Sequence, residues 1–229
     1  MTIRSDMARR ALLRVLPAVP ALGLAGCFGG GRMPHVWWEL DDARADEAGR
    51  AEPDAARAKL SMLVEGVAAG ARYDGTALLY SRGAGMRAPY QYASWTERPA
   101  ARLARLARRR LQARGGFRDV SLAEAGTAPE LLLTLTLETL HHELAPDVEG
   151  GQGGMLRLAV SAQLLDWRAR RPLASRAFDL AEPVASADAA GAVRAAGRAV
   201  AGLLDALAPW VETSAADYRV SGVRPPAPN

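Results

Sequence analysis

One thiol stands out among the residues able to do chemistry. Cys27 is the single cysteine in 229 residues, and it follows Leu24-Ala25-Gly26. Small side chains before a cysteine let an extended backbone enter a signal-peptidase cleft. The thiol is the group that takes up a diacylglyceryl unit, after which cleavage leaves Cys27 as the new N-terminus. Leu24-Ala25-Gly26-Cys27 therefore reads as a lipobox with Cys27 as the lipidation site. Two or three acyl chains, at ~0.8 kcal/mol per buried CH₂, give stable membrane anchoring where one chain gives only marginal binding. A lone cysteine also excludes an internal disulfide and a cysteine-based zinc cluster.

The remaining reactive groups form no catalytic pattern. His141, His142 and Glu143 are adjacent at the end of a predicted strand, where neighbouring side chains point to opposite faces and do not readily share a metal ion. Ser161 and Ser175 lack a G-x-S-x-G context. Gly150–Gly154 lacks the lysine and following helix of a phosphate loop and reads as a hairpin connection. The expectation is a protein that is not an enzyme, with no catalytic residue, no metal and no cofactor.

Binding residues are a separate question. Tyr80, Tyr90, Tyr92 and Trp95 are the candidate lining of a partner or lipid groove; the competing expectation packs Trp95 under the first helix as an apolar anchor. The arginines between Arg102 and Arg114 are candidates for anionic lipid heads, where each basic residue gains ~1 kcal/mol; the competing expectation is a solvated helix face. Trp37-Trp38 reads as part of an edge strand, with an interfacial position as the alternative.

Composition narrows the class. Hydrophobic residues make up 49%, charged residues 24% and aromatic residues 6%. This is ordinary globular composition, incompatible with wholesale disorder. No apolar run reaches the ~18–20 residues of a membrane span. The net charge of +4 sits mostly in the first 26 residues, which hold Arg4, Arg9, Arg10 and Arg14 against Asp6. The rest is nearly neutral, so no nucleic-acid partner is indicated.

Residues 1–26 have the basic, apolar and small-residue order of an export signal peptide, with Ala8–Arg14 compatible with either the twin-arginine or the general route. Residues 27–35 hold the lipidated cysteine and Gly29-Gly30-Gly31, a flexible tether. By resemblance to lipoproteins of Gram-negative bacteria, Phe28 rather than Asp after the cysteine implies the outer membrane, with the body facing the periplasm.

The body, 36–212, carries alternating strand and helix patterns. Val36–Leu40 reads as an edge strand, and 41–58 as a loop or weak helix that is charged and has no apolar stripe. Strands are expected at Leu60–Val67, Ala77–Tyr80, Pro89–Tyr92 and Phe117–Leu122. A helix from about Arg98 to Arg114, capped by Ser94 or Thr96, has Leu103, Leu106, Ala107 and Leu111 on one face and stops at Gly115-Gly116. Glu130–Leu140 and Met155–Asp166 are long half-buried strands, with leucines at Leu131, Leu133, Leu135 and Leu137 on one face of the first. Leu173–Leu180 is a further strand. Asp188 caps a helix reaching about Trp210 with apolar residues at i, i+3, i+4 spacing. Residues 213–229 are polar, Pro-rich and expected to be a mobile tail. The fold class expected is α/β: one domain, a mixed and largely antiparallel sheet with two main helices packed on it.

The order of these features resembles a known family. Tyr73–Tyr80, then Tyr90-Gln91-Tyr92, then Ser94-Trp95-Thr96-Glu97-Arg98-Pro99 entering the helix, is similar to the ABC-type transport auxiliary lipoprotein family, as are Trp38-Glu39-Leu40 and Leu165-Asp166-Trp167. The resemblance runs from about Val36 to Trp210. It implies an auxiliary component of an ABC transporter with a mammalian-cell-entry (MCE) subunit, serving lipid transport between inner and outer membranes. The partners implied are the membrane through the acyl chains, an MCE-domain protein, and lipid itself. The alternative class is an envelope assembly or structural lipoprotein that binds other proteins without handling lipid.

Overall fold

A computed structural model describes residues 33–47, 49–55, 57–122, 129–145 and 153–220. The expected signal peptide, lipobox, Cys27 and glycine tether lie outside the described residues, as do 221–229 of the expected tail. The elements in order are β1 (Val36–Trp38), β2 (Ser61–Ala68), β3 (Ala77–Ser81), β4 (Ala88–Trp95), α1 (Pro99–Arg114), β5 (Asp119–Leu122), β6 (Leu131–Glu143), β7 (Met155–Asp166), β8 (Arg171–Pro183) and α2 (Ala189–Val220).

The sheet is organised around β6. One edge of β6 carries β7 along its whole length, antiparallel, and β8 continues antiparallel beyond β7. The other edge is shared. Its first half, Leu131–Leu137, takes β2 in parallel, with β5 outside β2. Its end, His142–Glu143, takes β3 in parallel, followed by β4 and then β1 as the edge. The sheet is thus mixed, with its longest ladders antiparallel and its two crossover neighbours parallel.

Both helices cover one face. α1 packs on β2, β5 and β6; α2 packs on β7 and β8; the two helices touch each other. Leu131, Leu133, Leu135 and Leu137 of β6 are buried beneath them with Leu156, Leu158, Val160, Ala162 and Leu164 of β7. Side chains alternating with these stay half-buried or exposed, so the opposite face of the sheet is open. Gly66 fixes how closely α1 lies on β2, since a Cβ there would overlap the Ala100 carbonyl. Among the described residues no helix is long and apolar enough to cross a membrane.

Three expectations need correction. First, neither Ser94 nor Thr96 caps α1. Arg98 occupies the cap with no side-chain bond, and Pro99 starts the helix, where its missing N–H costs nothing. Ser94 instead belongs to β4, and its hydroxyl meets His35 Nε2 at 3.0 Å.

Second, α2 does not stop at Trp210. It runs through Pro209 to Val220, so 213–220 are helical rather than tail. A mid-helix proline removes one backbone bond. Burial of Leu207, Val211 and Ala215 on the core-facing side holds the helix together across it. The predicted cap is present: Asp188 Oδ1 accepts from the Gly191 N–H at 2.7 Å.

Third, the α1 arginines are not one solvated face: several of them dock the 41–58 stretch, which is a loop with short helical turns as expected. Asp42 and Arg110 are both buried, and the Arg110 guanidinium meets Asp42 Oδ2 and Asp205 Oδ1, each at 2.5 Å. Arg114 grips Glu212 of α2 with two bonds, 2.6 and 2.9 Å. Arg102 bonds the Leu40 carbonyl at 2.8 Å and pairs with Glu39. Buried Arg57 bonds the Gly116 carbonyl at 3.2 Å. Where apolar periodicity is missing, ion pairs do the docking.

Arg110→Ala strands a buried Asp42 carboxylate. It should cost ~3–5 kcal/mol in urea unfolding, against under ~1 kcal/mol for Arg198→Ala, whose pair with Glu182 is solvated. Equal midpoints for the two variants would show that the Arg110 pair does not hold the helices.

Candidate functional site

The aromatic residues singled out from the sequence divide between two environments and open surface. Trp95 is 4% exposed and belongs to the hydrophobic core, not to a surface groove. Tyr92 is exposed on β4. Tyr80 and Tyr90 do meet, with ring centroids 5.0 Å apart, and Arg82 lies over Tyr80. The four therefore do not line one groove.

What Tyr80 and Tyr90 join is His142. A β-bulge at Glu138 shifts the phase of β6, since Leu137 pairs Val160 while Thr139 pairs Ala159. Leu140 and His142 thereby face the helix side, where His142 is fully buried. Its Nε2–H donates to the Gly153 carbonyl. The neutral ring then accepts from the Tyr90 hydroxyl at Nδ1, 2.7 Å away. Burial holds the His142 pKa below its usual range and pushes Tyr90 up to about 12, helped by the field of Asp188. This chain of bonds ties β4, β6 and the entry to β7 together. Gly154, at φ 92°, lets the backbone turn into β7 against the Glu143 carbonyl, a place with no room for a Cβ.

His141 points the other way, as strand alternation requires. It lies on the open face in a cleft of about 340 Å³. Thr139, His141 and Glu143 of β6 form its floor with Arg157 and Ala159 of β7; Asp179 of β8 closes one side, and the β3–β4 hairpin with Ser81 and Arg87 closes the other. Arg157 Nε donates to Glu143 at 2.7 Å, and this bond is the main reason that the Glu143 carboxyl lies below its ordinary range. Arg87 Nη1 bonds Ser81 Oγ at 3.2 Å and the Met86 carbonyl at 2.7 Å.

Among the described residues three buried side-chain polar atoms have no hydrogen-bond partner: Trp38 Nε1, Arg87 Nε and His141 Nδ1. Two of the three belong to residues of this cleft. Leaving such a group unpaired costs ~1–3 kcal/mol, so the cleft carries unspent hydrogen-bonding capacity. A second hollow on the same face, of about 400 Å³, is lined by Thr134, Thr136, Ser161, Gln163, Ser175 and Arg176 with Ala162 and Ala177. The first is mainly polar; the second is polar and apolar in about equal measure. No group of three or more His, Cys, Asp or Glu among the described residues could hold a metal ion.

Sequence reasoning reached His141, Glu143 and their opposed neighbours but not the cleft. One signal was available: after the leucine run, Thr139, His141 and Glu143 alternate against Leu140 and His142. Arg87 and Asp179 had none, because each arrives from another strand connection.

A family model described as ABC-type transport auxiliary lipoprotein component matches residues 44–208. No curated protein matches the sequence. A solved structure from Xanthomonas campestris, of the DUF330 family, aligns with TM-score 0.67 at 16% identity, covering 80% of this chain and 98% of that one. A second, of an uncharacterized protein, aligns with TM-score 0.57 at 13% identity, covering 78% and 99%. At such identities the likeness speaks for the fold.

The cleft also predicts a pH response. Burial first, then Arg87, holds His141 at a pKa of about 4 against its ordinary 6.5; Arg157 and His142 push the same way, and Glu143 opposes them. Between these values the unfolded chain takes up a proton that the folded chain refuses. Stability therefore falls as pH drops from ~6.5 towards ~4 and is flat above that window. Urea midpoints from about pH 7 to about pH 5.5, above the ordinary carboxylate range, should slope downward; buried His142 adds to the same slope, so His141→Asn should reduce it without abolishing it. An unchanged slope would place the imidazole in water.

Proposed function

Because the chain belongs to the ABC-type transport auxiliary lipoprotein family, we propose that it is the membrane-anchored accessory of an MCE-type ABC transporter serving lipid transport between the inner and outer membranes. The observation that carries this reading is the family match, which spans every strand from β2 to β8 and most of α2. Cys27, acylated after removal of residues 1–26, fixes the protein to the outer membrane, and the glycine tether lets the body reach into the periplasm. The body acts by docking an MCE subunit, without turnover of its own. The open sheet face supports this role. It is a broad polar surface on a rigid scaffold, free of the helices that cover the other side.

Two measurements test the reading. Cys27→Ser should move the protein out of the membrane fraction; a variant still retained there removes the anchor. Affinity capture of the wild-type chain from cross-linked envelopes should bring an MCE subunit with its permease and ATPase. Recovery of other envelope proteins alone would favour a structural lipoprotein over a transport component.

A further inference from the structure

The cleft on the open face is built for charge of both signs. Among the described residues Arg87 makes no ion pair, and its Nε–H has no acceptor. On the opposite side stands Asp179, exposed and, among the described residues, without an ion pair or side-chain hydrogen bond. Between them Arg157 and Glu143 satisfy each other. The His141 ring, 5% exposed, is neutral and has an unpaired Nδ1. The cleft therefore sums to zero charge, yet one cation and one anion are left over at separate places. Register places the anion relative to the floor: Asp179 lies beside Ala159, which lies beside Thr139, so β8 stands two strand spacings, ~9–10 Å, from β6, the strand that carries His141.

A bare oxyanion fits this poorly, because Glu143 and Asp179 repel it. A neutral ligand leaves both charges unanswered. We propose that the cleft binds a zwitterionic phosphate–ammonium group of the phosphoethanolamine class. The phosphate sits against Arg87 and His141, and the ammonium, on its two-carbon arm, reaches Asp179. A guanidinium fork matches phosphate oxygens, and a primary ammonium donates hydrogen bonds to a carboxylate. The volume of about 340 Å³ is in the range of small-ligand pockets. Such a group occurs both as a lipid headgroup and as free phosphoethanolamine. The cleft keeps this chemistry whether or not the chain serves a transporter.

Calorimetric titration of the full chain in non-ionic detergent, with O-phosphoethanolamine, inorganic phosphate and ethanolamine as separate probes, tests it. Phosphoethanolamine should bind more tightly than either half alone. Arg87→Gln should weaken it by at least about tenfold, the loss of one hydrogen bond to a charged group. Asp179→Asn, a change at an exposed position that leaves the core intact, should weaken phosphoethanolamine similarly while leaving or improving phosphate. Flotation with phosphatidylcholine vesicles, with and without phosphatidylethanolamine, then separates the sources. Capture that depends on phosphatidylethanolamine and on both side chains assigns the lipid; binding of the soluble compound alone assigns the free headgroup. Tighter phosphoethanolamine binding in Asp179→Asn reduces the site to one for oxyanions and overturns the proposal. So does binding that neither substitution weakens, or none at all.

Discussion

One extra residue in β6 decides what both faces of this molecule look like. Without the bulge at Glu138, the alternation begun by Leu131, Leu133, Leu135 and Leu137 would continue through Thr139, His141 and Glu143 into the core. A carboxylate would then be buried on the helix side of the sheet, and Leu140 would be in water. The bulge turns Leu140 and His142 inward and leaves His141 and Glu143 outside. The buried bond chain from Tyr90 through His142 to Gly153 and the open-face cleft are thus two consequences of a single register shift. Bulges re-aim side chains in this way without ending the strand, because the ladder resumes one residue later.

The helix layer rests on a different interaction. Residues 39–59 supply almost no apolar surface, and they are placed by arginines reaching out from α1. Arg110 binds Asp42, 68 residues earlier, and Asp205, 95 residues later. Charges out of water are costly unless each finds a partner. Here the partners come from three separate segments, so the pairs close only when the N-terminal stretch, α1 and α2 are all in place. That arrangement gives registration more than raw stability. It keeps both helices over one face of the sheet, and so leaves the other face open.

Much of this fold was legible because helix and strand periodicity are local. The leucine alternation of β6 and β7, the apolar stripe of α1, its stop at Gly115 and the Asp188 cap are each read within a dozen residues. The two-helix mixed sheet follows from them. What was not legible is non-local. A bulge shows in sequence only as a change of phase, here masked by two adjacent histidines. The partners of Arg110 and Arg114 lie far along the chain, so those side chains look like a solvated basic face. α2 continues past Pro209 because Val211 and Ala215 find core, which no propensity announces. Tyr80 and Tyr90 were found but misgrouped, since the sequence could not say that Tyr92 points outward and Trp95 inward. Arg87 and Asp179 carry no local signal; they matter only because a hairpin and a strand edge bring them to one hollow.

The chemistry of the open face bears on how such a body could serve lipid movement. Holding an acyl chain out of water gains ~0.8 kcal/mol per CH₂, but only against apolar walls. The leucines and alanines that could provide such walls are packed between the sheet and its helices, each only a few per cent exposed. The hollows on the open face are lined instead by threonines, serines, a histidine, arginines and carboxylates, with only alanines and glycines between them. A surface of this kind discriminates charge and hydrogen-bonding geometry and offers little to hydrocarbon. On the proposed reading, contact with lipid at this face would be contact with the headgroup, made while the chains stay in a bilayer or in another subunit. The proposed anchor at Cys27 would suit that division, since it would hold the body near the membrane while the headgroup is recognised by polar side chains.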